Sequence, residues 1–131
     1  MPKHQFTHRV IYQDTDAEGV VYYANYLGFF EKGRTELIRS LGISLKELKE
    51  KQGIVFAVEK VECDYSAPAR YDDELTIETE IEKTTGARIV FQQTASRAKV
   101  ILVRATITLF SLDFRTFKPQ RLPKEILPHL F

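Results

Sequence analysis

Asp14, Asp16 and Gly19 fall inside the stretch Tyr12 to Glu36, immediately ahead of an aromatic-rich segment with helical periodicity. A carboxylate held beside the free N–H groups of a helix start can activate water or attack a carbonyl. The same N–H groups stabilise the negative charge that builds on the carbonyl oxygen. Carboxylate plus oxyanion donors is a hydrolase constellation. Aspartates before a helix also form Asx turns and caps, so the residues around them must say which one carries chemistry.

The elements that position this loop follow from periodicity. Phe6, His8, Val10 and Tyr12 alternate with Thr7, Arg9 and Ile11, which predicts a first strand ending at the loop. Tyr23, Tyr26, Leu27, Phe30, Leu37, Ile38 and Leu41 then follow three-four spacing. This predicts one long helix of about five turns, ending at Gly42. Ser44 to Glu47 has the pattern of a capping box, with Ile43 and Leu48 placed as a hydrophobic staple for a short second helix. After Gly53 the chain reads as strand: Ile54 to Tyr65, Glu74 to Glu82, Arg88 to Ser96 and Lys99 to Asp113, the last three joined as an antiparallel meander. Leu75, Ile77, Thr79 and Ile81 share one face, with glutamates and Thr76 on the other. The last strand is apolar on one face and partly so on the other, so part of that second face must be covered. The expected architecture is α+β, a curved antiparallel sheet wrapped around one long helix, with its back or edge buried in an obligate oligomer.

Length and charge narrow the classes of function. The chain has 131 residues, and 19 Lys and Arg against 18 Asp and Glu leave a net charge of +1. Nothing in that balance calls for nucleic acid or an anionic membrane. No internal repeat or linker divides the chain, so residues 1–131 read as one domain. The N-terminus carries no apolar leader and no run long enough to span a bilayer, which implies a cytoplasmic protein. Cys63 is the one cysteine, and its alternation with Val61 and Tyr65 reads as a buried thiol. His4, His8 and His129 lack metal-ligand spacing, so no metal is expected.

The run Asp14-Thr15-Asp16-Ala17-Glu18-Gly19-Val20-Val21-Tyr22, with Asn25-Tyr26 and Glu31-x-x-Arg34-x-Glu36 after it, resembles the hot-dog-fold acyl-CoA thioesterases of the 4-hydroxybenzoyl-CoA thioesterase family. The likeness extends to the family's Tol-Pal-associated short-chain acyl-CoA branch. Tyr65-x-x-Pro68-Ala69-Arg70-Tyr71-Asp72-Asp73 and Lys118-Pro119-x-x-Leu122-Pro123 carry it over nearly the whole chain. The resemblance implies the same fold reached from periodicity, with active sites at a dimer interface and dimers that pair into a homotetramer.

It also implies roles. Asp16 matches the catalytic carboxylate, acting as general base on water or as nucleophile, and Tyr23 matches the position whose backbone N–H meets the thioester carbonyl. The Tol-Pal-associated branch commonly has histidine where this chain has Tyr23, so an imidazole mechanism at that position is not available here. Asp14 is left to loop structure or support of Asp16. Tyr22 and Tyr23 favour an aromatic acyl group, and Phe56, Ala57 and Val58 correspond to the strand that lines the acyl pocket. Lys83 and Arg88 flank the turn that meets the phosphates of coenzyme A, with Arg70 a further candidate. Most of the aromatic row Tyr22, Tyr23, Tyr26, Phe29 and Phe30 reads as core, and Glu31 and Arg34 read as a scaffold pair.

The expected activity is hydrolysis of a short-chain or aromatic acyl-CoA, without a cofactor, since coenzyme A belongs to substrate and product. Acyl carrier protein is a possible alternative carrier of the acyl group. A module that binds acyl-CoA or acyl carrier protein without chemistry is the competing reading. A hydroxyacyl dehydratase on the same fold needs a histidine working with an acid, and no histidine lies near the loop in the sequence.

Overall fold

A computed structural model of the chain describes residues 2–124 and 126–130. Met1, Glu125 and Phe131, which the expected domain 1–131 includes, lie outside the described residues. Five strands, β1 (Lys3–Arg9), β2 (Ile54–Tyr65), β3 (Glu74–Thr85), β4 (Arg88–Arg97) and β5 (Val100–Asp113), form one sheet in the order β1-β3-β4-β5-β2. Every pairing is antiparallel. Register shifts at Val58/Lys60, Ile81/Lys83 and Ala95/Ser96 each insert extra twist, which bends the sheet toward the helix it carries. The α+β expectation therefore holds, with β1 and β2 as the two edges.

That helix, α1 (Asn25–Ser40), begins two residues later than its periodicity predicts. Its buried face is Tyr26, Phe29, Phe30, Gly33, Arg34, Leu37 and Ile38. Tyr23 at 61% exposure and Leu27 at 39% are excluded from it. The three-four pattern admitted Tyr23 because an aromatic ahead of Tyr26 fits the spacing, but the chain there is still leaving a bridge between Val20 and Arg70. Phe30 is fully buried, worth about 1.5–3 kcal/mol of transfer free energy.

Gly33 lets the helix lie close to the sheet. A Cβ there would collide with Thr79 Oγ1 and come within 3.1 Å of Gln93 Nε2. Beneath it Gln93 Nε2 donates to Phe30 O at 2.8 Å and to Thr79 Oγ1 at 2.7 Å, and accepts from Arg34 Nη1 at 3.0 Å through Oε1. The buried polar atoms at the crossing thus satisfy one another.

The first turn after α1 is closed as predicted: Ser44 Oγ accepts from Glu47 N, and Ile43 and Leu48 are both buried. The helix α2 (Leu45–Glu47) continues as a wider turn over Leu48–Gln52 and stops at Gly53, whose φ of 67° is left-handed. β3 alternates as expected, with Leu75, Ile77, Thr79 and Ile81 buried. The second face of β5 is covered in part from within the chain, since Leu112 bridges Pro119 of the tail and Leu122 is buried. The Val61, Cys63, Tyr65 row departs from expectation. Val61 is 41% and Tyr65 46% exposed, and Cys63 is half-buried, because β2 is an edge strand and open cavities lie between this part of it and α1. No helix among the described residues is long and apolar enough to cross a membrane.

Candidate functional site

Asp16 sits in a tight reversal. Its N–H donates to Val20 O at 2.9 Å, its C=O accepts from Gly19 N at 3.0 Å, and its Oδ1 accepts from Glu18 N at 2.9 Å. Gly19 closes the turn at φ 80°, a conformation that costs glycine little and an L side chain more. The loop is tied down on both sides by bridges Thr15↔Val21 and Val20↔Arg70 and by Val21 N to Ala69 O at 2.8 Å. Asp16 is half-buried, and among the described residues no donor meets its Oδ2. One carboxylate oxygen fixes the loop and the other has no donor among the described residues.

Asp14 takes the structural role. Its Oδ2 accepts from Ile11 N at 2.9 Å and lies 2.8 Å from His8 Nε2, while its C=O accepts from Tyr22 N and from Asn25 Nδ2, each at 2.9 Å. One residue therefore ties β1, the loop and the start of α1 together. His8, whose ring also packs on Phe29 with centroids 4.3 Å apart, corrects the expectation that no histidine approaches the loop. It reaches it from β1, six residues back, and its partner is Asp14.

The start of α1 is uncapped. Ala24 occupies the cap position in helical conformation without a side-chain cap, and among the described residues neither Tyr23 N–H nor Ala24 N–H has an acceptor. Such orphan donors carry the positive end of the helix dipole and are ready for an anion or a polarised carbonyl. Tyr65 Oη donates to Tyr23 O at 3.1 Å, fixing the Tyr23–Ala24 peptide, which carries the Ala24 N–H. The Tyr65 hydroxyl is pushed up to about 12, by burial first and then by the Cys63 thiol beside it, so it remains a donor at neutral pH. Tyr22 is also raised, chiefly by the Tyr23 hydroxyl and least by the Asp16 charge.

Three cavities follow one another between α1 and β2. The first, about 290 Å³, is lined by Val21, Tyr23, Tyr26, Tyr65 and Ser66 to Pro68. The second, about 260 Å³, lies over Leu27, Glu31, Arg34, Val58 and Val61. The third, about 230 Å³, is bounded by Arg34, Phe56, Val58, Ile89, Phe91 and Leu109. Of the three residues expected to line an acyl pocket, Phe56 and Val58 wall these cavities and Ala57, half-buried between them, does not.

The expected site residues thus divide into two groups. Asp16, Tyr22, Tyr23 and Arg70 come together, Arg70 through its bridge to Val20, with its side chain exposed. Lys83 and Arg88 do not join them. They stand at the far end of β3 and the start of β4, about 30 Å along the strand from Glu74. Lys83 is exposed, and Arg88 is held by Glu59 through bonds of 2.8, 3.1 and 2.9 Å. That pairing lowers the Glu59 pKa and raises that of Arg88. The expected Glu31–Arg34 pair is replaced by the Arg34–Gln93 bond. Asn25, His8 and Tyr65 were missed as supports of the loop and helix start. Tyr65 stood in the Tyr65-x-x-Pro68 motif, but its contact with Tyr23 spans 42 residues and no local pattern encodes it.

A family model described as the thioesterase superfamily matches residues 18–103, starting two residues past Asp16. The acyl-CoA thioesterase YbgC of Haemophilus influenzae is 43% identical over 121 residues, 92% of this chain and 89% of that protein. The acyl-CoA thioester hydrolase YbgC of Escherichia coli is 42% identical over 120 residues, 91% of this chain and 89% of that protein. Among solved structures, a probable thioesterase from Bartonella henselae superposes with a TM-score of 0.87 at 39% identity, covering 92% of this chain and 99% of that one. A 4-hydroxybenzoyl-CoA thioesterase variant complexed with 4-hydroxybenzoyl-CoA gives a TM-score of 0.93 over 100% of both chains at 20% identity, a likeness of fold. An antiparallel sheet carrying one helix, with a carboxylate beside that helix's open start, is therefore the hot-dog fold, and the chain belongs to the thioesterase superfamily.

Proposed function

We propose that this protein is an acyl-CoA thioesterase in which Asp16 is the catalytic carboxylate and the Tyr23 N–H polarises the thioester carbonyl. The observation that carries the reading is the free Asp16 Oδ2 in a loop that feeds directly into an uncapped helix start. A carbonyl oxygen seated on the Tyr23 N–H accumulates charge as the carbon is attacked, and a fixed donor stabilises that charge without reorganising. Asp16 either takes a proton from the attacking water or attacks the carbon itself, to be released by water afterwards. In both routes the C–S bond breaks, the acyl group leaves as the free acid and coenzyme A leaves as its thiol. No cofactor of the enzyme's own enters either route.

The functional unit of this reading is a homo-oligomer, a dimer or a dimer of dimers. β2 is a twelve-residue edge strand with Val58 at 51%, Val61 at 41% and Tyr65 at 46% exposure, a row that an unpartnered edge does not ordinarily keep. Antiparallel pairing of two β2 strands across a twofold axis brings the Tyr65 end of one protomer to the Ile54 end of the other. Lys83 and Arg88 of one chain then approach the Asp16 loop of its partner, where the phosphates of coenzyme A need cations. Arg88 must leave Glu59 to serve there, whereas Lys83 and Arg70 are ready as they stand. We place the protein in the cytoplasm, where acyl-CoA and acyl carrier protein are both candidate carriers of the acyl group.

Thiol release across short, medium, long and aromatic acyl-CoA esters tests the assignment, with Asp16→Asn in parallel. Release that depends on Asp16 is expected. Saturable binding without release by a folded oligomer overturns it in favour of a binding module.

A further inference from the structure

Arg34 carries its charge in the interior. It is 8% exposed, and among the described residues its side chain makes one hydrogen bond, to Gln93, and no ion pair with a carboxylate. A guanidinium has five N–H donors, and those on Arg34 that do not meet Gln93 face the adjoining cavities, since none is both fully buried and without a partner. Burial lowers its pKa, and Glu31, nearly one turn earlier, acts on it as a charge at a distance. Arg34 and Glu31 line the second and third cavities together, and most of the remaining wall is apolar: Leu27, Val58, Val61, Phe56, Ile89 and Leu109. An apolar groove thus contains one polar station, a donor and an acceptor side by side.

The station's distance from the helix start is set by helix geometry. Glu31 and Arg34 lie six and nine residues beyond Asn25, about 9 and 13 Å along the axis. Tyr23 lies two residues ahead of Asn25, about 3 Å more, so an extended chain advancing about 1.2 Å per bond meets the station roughly ten to thirteen bonds from a carbonyl held at Tyr23. A methyl group there offers the guanidinium no acceptor, and a carboxylate satisfies Arg34 but meets the charge of the exposed Glu31. A hydroxyl accepts from the guanidinium and donates to the carboxylate.

We infer that the groove between α1 and β2 selects medium-chain acyl groups bearing a hydroxyl toward their far end, read jointly by Arg34 and Glu31. The inference rests on the thioesterase reading above for the position of the carbonyl. It concerns the distal end of the acyl group, which Asp16 and Tyr23 do not touch.

The test compares matched esters: dodecanoyl-CoA with ω-hydroxydodecanoyl-CoA, octanoyl-CoA with ω-hydroxyoctanoyl-CoA, and dodecanedioyl-CoA as the carboxylate. Turnover is measured with the native protein and binding with Asp16→Asn by calorimetry. A groove without a polar station favours the methyl-ended ester, so a preference of about tenfold for one of the hydroxylated esters in both readouts is the expected result. Glu31→Gln should shrink that preference and Arg34→Met should reverse it. If Arg34→Met fails to fold, the native ratio and Glu31→Gln still decide. A native protein that handles the methyl-ended and hydroxylated esters alike, or prefers the methyl-ended ones, overturns the inference while leaving thioester hydrolysis intact. Binding that favours the hydroxylated ester without any thiol release overturns the hydrolase reading and leaves the selectivity standing.

Discussion

The flank of α1 that faces β1 and β3 is filled, and the flank that faces β2 is not. On the filled side Phe30, Leu75 and Ile77 are fully buried, and Gly33 lets backbone meet the Thr79–Gln93 pair without a gap. On the open side Leu27, Val58 and Val61 stay exposed around cavities of about 230 and 260 Å³. Apolar surface left uncovered costs folding free energy of roughly 25 cal/mol per Å², so a domain keeps such a flank only where something else covers it. The filled flank holds the helix in place. The open flank, continuing the line of the uncapped helix start, is where ligand and second protomer have room.

Substitutions that respect this division should separate activity from stability. The largest effect is expected at Asp16→Asn. The amide oxygen can still accept from Glu18 N as Oδ1 does, so the turn is kept. Removing the base or nucleophile should lower kcat by about 10²- to 10⁴-fold, with the melting temperature and elution volume unchanged. A large loss of stability instead would make Asp16 a structural residue like Asp14.

Next is Val61→Lys on the open flank. Val61 is far from Asp16 in sequence and stands at 41% exposure, so the isolated chain should tolerate the change. In an oligomer built on β2 with Tyr65 opposite Ile54, each new charge lies against Val58 of the partner in an apolar seam, at a cost of several kcal/mol, about 3 kcal/mol as a working figure. Light scattering should then report a monomer with native circular dichroism, and activity should fall with the oligomer. A variant that remains oligomeric would move the interface away from β2.

The same division explains what was legible in the sequence. β3 was readable from Glu74 to Ile81, because one of its faces is buried within the chain and the other is wet, and period two holds until the register shift at Ile81/Lys83 carries the strand on to Thr85, past its expected end at Glu82. The flank of α1 toward β2 was misread. Leu27 and Tyr23 have the spacing of core residues and are exposed, since periodicity records that a side chain is apolar and not which surface will cover it. At the site, the loop and the open helix start were legible because they are local, a turn, a glycine and a helix within ten residues, whereas the choice of Asp16 within that loop came from the family resemblance. The Tyr65 to Tyr23 contact was not legible, because it spans 42 residues, and the His8 to Asp14 contact, though six residues apart, depends on how the chain folds back after β1, which residue spacing does not encode. Lys83 and Arg88 show the same limit, as a basic turn is easy to see and its distance from the loop is not.

Gly33→Ala probes the filled flank. The new methyl group must push aside Thr79 Oγ1 and Gln93 Nε2, and overpacking of this kind costs about 1–3 kcal/mol. That exceeds the gain from replacing a helical glycine with alanine, about 1 kcal/mol. Thermal and denaturant unfolding should both show a net loss, with kcat near native for the protein that remains folded. An unchanged midpoint would mean that the helix rides higher over β3 than its contacts indicate.

The smallest expected effect lies where the two flanks meet, at Tyr65→Phe. The change deletes one hydrogen bond to the Tyr23 carbonyl and keeps the ring that packs against Tyr23 and Tyr26. Such a bond contributes about 1 kcal/mol, so the expected loss is a few-fold in kcat, with KM nearly constant if the helix start, whose Ala24 N–H shares that peptide, is oriented chiefly for the transition state. The pH dependence gives a sharper readout. The Tyr65 hydroxyl is raised from 10.0 to about 12, by burial first, so the folded state holds this proton more tightly than the unfolded chain does. The contribution is complete below pH 10.0 and is lost as pH rises through about 12. Native protein and variant should therefore differ in stability by a constant amount below pH 10.0 and converge above it. Parallel curves through that range would show that the phenyl ring alone accounts for what Tyr65 contributes.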